Sequence, residues 1–125
     1  MKKAVALALF SLFSTLATAS EIPALRCLGT EPFWGVKTQV NGTLTYADPI
    51  TMGVTRYLNA ELLNAAGTSG DFAFQIKAVD STNKSLKLNV IKTVCNDGMS
   101  DEVYTYSVLV ETEIGMLFGC CNKAD

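Results

Sequence analysis

Over most of this chain the apolar residues recur at every second position. That period builds strands with one buried face, whereas an amphipathic helix needs a period of 3.6. Phe72, Phe74, Ile76 and Ala78 share one face of such a run, and so do Leu86, Leu88 and Val90, which alternate with Lys87 and Asn89. Tyr104, Tyr106, Val108 and Val110 make a third set, opposite Thr105 and Ser107. The alternation breaks at Ile91-Lys92, where a β-bulge is expected.

One hairpin can be placed in register. Trp34, Val36 and Thr38 lie on one face, Asn41-Gly42 marks a turn, and Leu44 and Tyr46 follow. A two-residue Asn-Gly loop would put Leu44 and Tyr46 on the face of Lys37 and Gln39. A three-residue loop, Val40-Asn41-Gly42 with a left-handed Gly42, pairs Thr38 with Leu44 and Val36 with Tyr46 and keeps the apolar set together. Further turns are expected at Asp80–Lys84 and Thr112–Gly115, and a loop at Gly67-Thr68-Ser69-Gly70. The stretch 54–66 reads either as a short helix or as a strand ending at Asn64.

The N-terminus follows different rules. Met1-Lys2-Lys3 is positive, Ala4 to Leu16 is largely apolar, and Ala17-Thr18-Ala19 offers small residues for cleavage. Residues 1–19 therefore read as a secretory signal peptide. The apolar run falls short of the roughly 20 residues a membrane span takes. No cysteine follows the cleavage point directly, so a lipid anchor is not expected. Residues 20–125 read as one domain, and 106 of the 125 residues suit a single core. About six to eight short strands are expected from their spacing. The fold class is all-β: a small antiparallel meander closing into a barrel or tight sandwich, which buries one face and protects the edges.

The signal segment takes two lysines with it, leaving eight basic residues against twelve acidic and a formal charge of −4. Dispersed lysines on a mildly acidic domain give no footprint for nucleic acid. The expected protein is a monomer with no membrane span, in the periplasm or secreted.

Four cysteines in an exported chain read as disulfides. Cys120 and Cys121 are adjacent in the last expected strand, so they point to opposite faces and each needs its own partner. One should bond Cys95 and the other Cys27; spacing does not say which. The chain has no histidine and no Cys-x-x-Cys, which argues against zinc, against a thiol redox site and against a Ser-His or Cys-His catalytic pair. No metal or other cofactor is expected.

Two segments carry the candidate site. In Gly29-Thr30-Glu31-Pro32-Phe33-Trp34, Pro32 holds Glu31 extended and the strand sends Phe33 and Trp34 to opposite faces. Trp34 is read first as a core plug; the alternative is a platform on which Trp34 or Phe33 stacks a ligand beside Glu31. Cys95-Asn96-Asp97-Gly98-Met99-Ser100-Asp101 reads as a tight loop pinned by its cysteine, with Asp97 capping backbone N–H groups. Calcium held by Asp97, Asp101 and Glu102 would not follow EF-hand spacing.

These two segments, with Tyr104 and Gly119-Cys120, resemble a family of uncharacterised small bacterial envelope proteins, secreted or lipid-anchored, that carry GTEPFW and C-x-D-G-M-S-D…G-C motifs. Some members stand beside META-type or lysozyme-inhibitor-type domains. The resemblance covers most of the chain after residue 19 and implies a bacterial envelope location. It also implies the pairing: Cys95 with Cys120, and Cys27 with Cys121. It supplies no activity. The preferred expectation is a non-enzymatic binding or inhibitory module that engages an envelope protein or small ligand through Glu31, Phe33, Trp34, Asp97 and Asp101. The alternatives are a cell-wall glycan-acting enzyme using Glu31 with Asp97 or Asp101, and a purely structural envelope protein.

Overall fold

A computed structural model describes residues 21–124; the expected signal peptide, residues 1–19, lies outside the described residues. Eight strands follow in chain order: β1 (Leu25–Thr30), β2 (Phe33–Thr38), β3 (Leu44–Ala47), β4 (Val54–Asn64), β5 (Ala73–Val79), β6 (Ser85–Ile91), β7 (Tyr106–Thr112) and β8 (Gly115–Lys123). Each pairs antiparallel with its sequence neighbour, and β8 pairs with β1 to close the barrel. Closure removes every unpaired strand edge.

The alternation sorts side chains between the lumen and the outside. Leu25, Val36, Leu44, Ile76, Leu86, Leu88, Val108 and Val110 fill the interior, with Phe74 and Tyr106 in an edge-to-face pair at 6.2 Å. Such an interior is a packed core and not a channel. The first hairpin has the register that keeps its apolar set together: Thr38 faces Leu44, Val36 faces Tyr46, and Gly42 has φ +89°. Thr38 turns its hydroxyl inward, and it is satisfied there. It accepts from the Leu25 amide at 2.7 Å and donates to the Pro23 carbonyl at 2.6 Å. This ties down the segment before β1, whose Ile22 plugs one end of the core.

Residues 54–64 are a strand, ending at Asn64 as one of the two readings had it. Its pairing with β5 shifts between Leu58 and Glu61, and Asn59 there has φ +57°. The bulge turns the Ala60 amide onto the Gly42 carbonyl at 3.0 Å, docking the β2–β3 turn against β4. The bulge expected at Ile91-Lys92 is absent: β6 simply ends, and the Lys92 amide bonds the Phe72 carbonyl. Phe72 precedes β5 and is exposed, so it does not join the inward face of Phe74, Ile76 and Ala78. Tyr104 also leaves its expected set. It forms an isolated bridge with Cys95 on the outside, while Tyr106 points inward.

Tyr46 is the exception in the core. Its hydroxyl is buried with no hydrogen-bond partner among the described residues, and the residue is only 4% exposed. Burial, assisted by Asp48 and Tyr57, pushes its pKa up to about 12. The raised value means that the neutral form is favoured in the folded state. Its contribution is complete below pH 10 and is lost as the pH rises through about 12. An unpartnered buried hydroxyl costs on the order of 1–3 kcal/mol. Tyr46→Phe is therefore expected to raise stability by about 1 kcal/mol at neutral pH and to soften the alkaline loss. Urea unfolding at neutral and alkaline pH checks both; a destabilised variant would mean the hydroxyl has a partner.

Candidate functional site

The two cysteine bonds organise the site. Cys27 and Cys121 face each other across the β1–β8 seam and bond inside the barrel, with Cα atoms 4.1 Å apart. Cys120, one residue earlier, points outward and bonds Cys95. The adjacent pair thus serves opposite faces, and the two bonds are those that the family resemblance implied. Two disulfides accord with an oxidising compartment.

The outer bond holds the loop 92–105 against the barrel wall. Cys95, Tyr104 and Cys120 form a small second core with Leu28, outside the main one. Burial, then the neighbouring Glu102 and Asp97 carboxylates, pushes the Tyr104 hydroxyl's pKa up. That hydroxyl donates to Glu102 at 3.2 Å and lies 3.4 Å from the Asp97 Oδ2. Asp97 Oδ1 accepts from the Met99 and Ser100 amides at 2.9 and 3.2 Å, the Asx-type turn expected of it. Asp97→Ala removes the acceptor of both amides. It is expected to cost about 1 kcal/mol and to speed amide exchange at Met99 and Ser100 without loosening β7. Equal exchange in parent and variant would show that the turn holds without the carboxylate.

The other wall is the β1–β2 turn. Glu31 and Pro32, joined by a cis peptide bond, form its two-residue tip between Thr30 and Phe33. Such turns place proline at the third position. Glu31 therefore sits at a hairpin tip and not at the head of a strand that begins with Phe33. Thr30 Oγ1 donates to the Asp97 carbonyl at 3.0 Å, joining the tip to the loop.

Between tip and loop lies a groove of about 340 Å³, lined by Gly29, Thr30, Glu31, Asp97, Gly98, Met99, Phe118 and Gly119. Of the residues singled out from sequence, the structure brings Glu31 and Asp97 together here. Phe33 adjoins them, exposed on the turn. Asp101 is exposed on the same loop but does not line the groove. Trp34 is 5% exposed and belongs to the core, so the aromatic surface of this segment is that of Phe33. The indole lies across Gly29 and Gly119. Those two glycines also line the groove, so backbone alone separates Trp34 from it.

Phe118 was not anticipated. It alternates outward from Leu117 on β8, is 61% exposed and lines the groove. The period-two pattern of β8 carried that signal, but an outward phenylalanine looks the same in sequence as an inward one. No described group of three or more Asp, Glu, His or Cys side chains is placed to hold a metal ion. No described helix is long and apolar enough to cross a membrane. Compared with protein-family models, curated proteins and solved structures, the chain matches none.

Proposed function

We infer that this protein is a non-enzymatic binding module of the bacterial envelope, periplasmic or secreted, that engages a protein or small ligand through the groove between the β1–β2 turn and the loop 92–105. The supporting observation is convergence: two motif-bearing segments 67 residues apart are held edge to edge by the Thr30–Asp97 hydrogen bond. The groove they form carries a carboxylate, Glu31, beside the exposed Met99 and Phe118. A rigid site of apolar side chains with a few placed polar groups is what recognition needs.

Catalysis by Glu31 with Asp97 has less support. Both line the groove, but the Asp97 oxygens already accept from two backbone amides and face the Tyr104 hydroxyl. A carboxylate so engaged is poorly placed to exchange protons with a substrate.

The oxidised protein, immobilised and exposed to envelope extract, should retain a partner. Glu31→Ala and Met99→Ala should each weaken retention about tenfold, a loss of about 1.4 kcal/mol. Lys77→Ala, on the outer face of β5, should not weaken it. Equal retention by all variants would show that the groove is not the recognition surface. Release of sugar ends from cell-wall glycan, abolished by Glu31→Gln, would instead establish the enzyme.

A further inference from the structure

A second depression adjoins the groove. The outer faces of β4 to β8 form an apolar trough of about 660 Å³, bordered by Leu63, Ile91, Leu109 and Phe118. These four side chains are all exposed. Phe118 lines both depressions, so groove and trough meet at this one side chain.

The two parts ask for different chemistry. Several polar groups at the trough are engaged with neighbours. Asn89 accepts from Gln75 at 2.8 Å and donates to Glu111 at 3.0 Å, and Thr93 bonds Ser107 at 2.8 Å. The trough therefore offers mainly apolar contact. In the groove, Glu31 has neither an ion pair nor a hydrogen bond among the described residues, where the salt bridge is Lys92 with Asp71. A free carboxylate at one end of an apolar channel complements a cation attached to apolar groups. It repels an anionic amphiphile, such as a fatty acid with its head at that end.

The row from Phe118 through Leu109, Asn89 and Gln75 to Leu63 crosses five adjacent strands. Four interstrand steps span about 19 Å, the reach of about six extended residues.

We propose that groove and trough together bind one extended segment of a partner protein, about six to eight residues long, with a lysine or arginine at Glu31 and apolar side chains along β8 to β4. The proposal rests on the binding-module reading and names the partner's chemistry.

A random-peptide display library selected on the oxidised protein tests it. Enriched peptides should carry a basic residue followed within a few positions by aliphatic or aromatic ones. A synthetic copy should lose about tenfold in affinity, about 1.4 kcal/mol, when its basic residue is replaced by citrulline or norleucine. Glu31→Gln and Leu109→Lys in the protein should each cost a similar factor, with folding of both variants checked by circular dichroism. Enriched peptides without a basic residue, or no enrichment, would overturn the proposal. So would decanoate displacing the peptides from the trough, or a dimer in sedimentation that Leu109→Lys dissolves. Loss on Glu31→Gln with no loss on Leu109→Lys would refute the trough and leave the groove reading standing. The reverse pattern would refute the groove reading itself.

Discussion

Replacing Cys27 and Cys121 together by alanine is expected to remove ~4–5 kcal/mol of stability. Removing Cys95 and Cys120 should cost less, ~3.5 kcal/mol. The inner bond spans 94 residues and the outer bond 25, and the entropy a cross-link takes from the unfolded chain grows with the loop it closes. Position acts in the same direction. The inner sulfurs sit in the main core beside the closing strand pair, so losing them also leaves unfilled space there. The outer bond pins one loop to the wall, and its loss should free residues 92–105 while the barrel persists. Urea unfolding of the two double variants gives the ranking. Under a mild reductant, mass spectrometry of alkylated thiols should find Cys95 and Cys120 modified first, since reaching the inner pair requires the barrel to open. Equal losses, or the inner pair reacting first, would contradict this account.

Gly119→Ala should be the most damaging exchange of a single small residue, at ~3 kcal/mol or more. A methyl group there would overlap the Leu28 carbonyl oxygen on the paired strand and come within 2.5 Å of the Trp34 ring. Backbone cannot retreat without breaking the β1–β8 pairing. At Gly29 the three nearest atoms to an added methyl all belong to the indole, whose Cε2 would lie 2.6 Å away. The difference can be separated. Trp34→Leu should rescue most of the Gly29→Ala loss and only part of the Gly119→Ala loss. A double-mutant cycle reads this as a large coupling at Gly29 and a large uncoupled remainder at Gly119. Similar rescue at both positions would mean that the carbonyl contact is unimportant.

The features readable in the sequence were those encoded by short-range period. The β2–β3 register followed from keeping Val36, Thr38, Leu44 and Tyr46 on one side, because a two-residue loop would turn half of them outward. The opposite bonding directions of Cys120 and Cys121 followed from the same alternation. Where the period is interrupted, the reading fails. β4 was ambiguous because its bulge at Leu58–Glu61 shifts the phase midway, leaving Tyr57 and Ala60 buried three positions apart. The period alone turns Tyr104 inward with Tyr106, and the bend at Thr105, which sends it out to Cys95, has no local signature. The groove was half legible: Glu31 and Asp97 were named from their motifs. Their meeting depends on a loop folding back along the wall, a matter of tertiary contact. Phe118 and the trough were not legible, because exposure of an alternating strand's second face depends on what covers it.

The seam between β1 and β8 also has a consequence for the order of assembly. The first strand completes its pairing only with the last, and the Ala124 amide bonds the Ala24 carbonyl just outside that pair. A polypeptide is made from its N-terminus, so β1 waits for its second neighbour until the other seven strands have been made. The two cysteines of β8, Cys120 and Cys121, likewise arrive after both of their partners, Cys27 and Cys95. A chain cut short before Gly115 would carry seven strands and two raw edges, on β1 and β7. Such edges invite pairing with other chains, so premature termination should yield aggregates and not a smaller folded product.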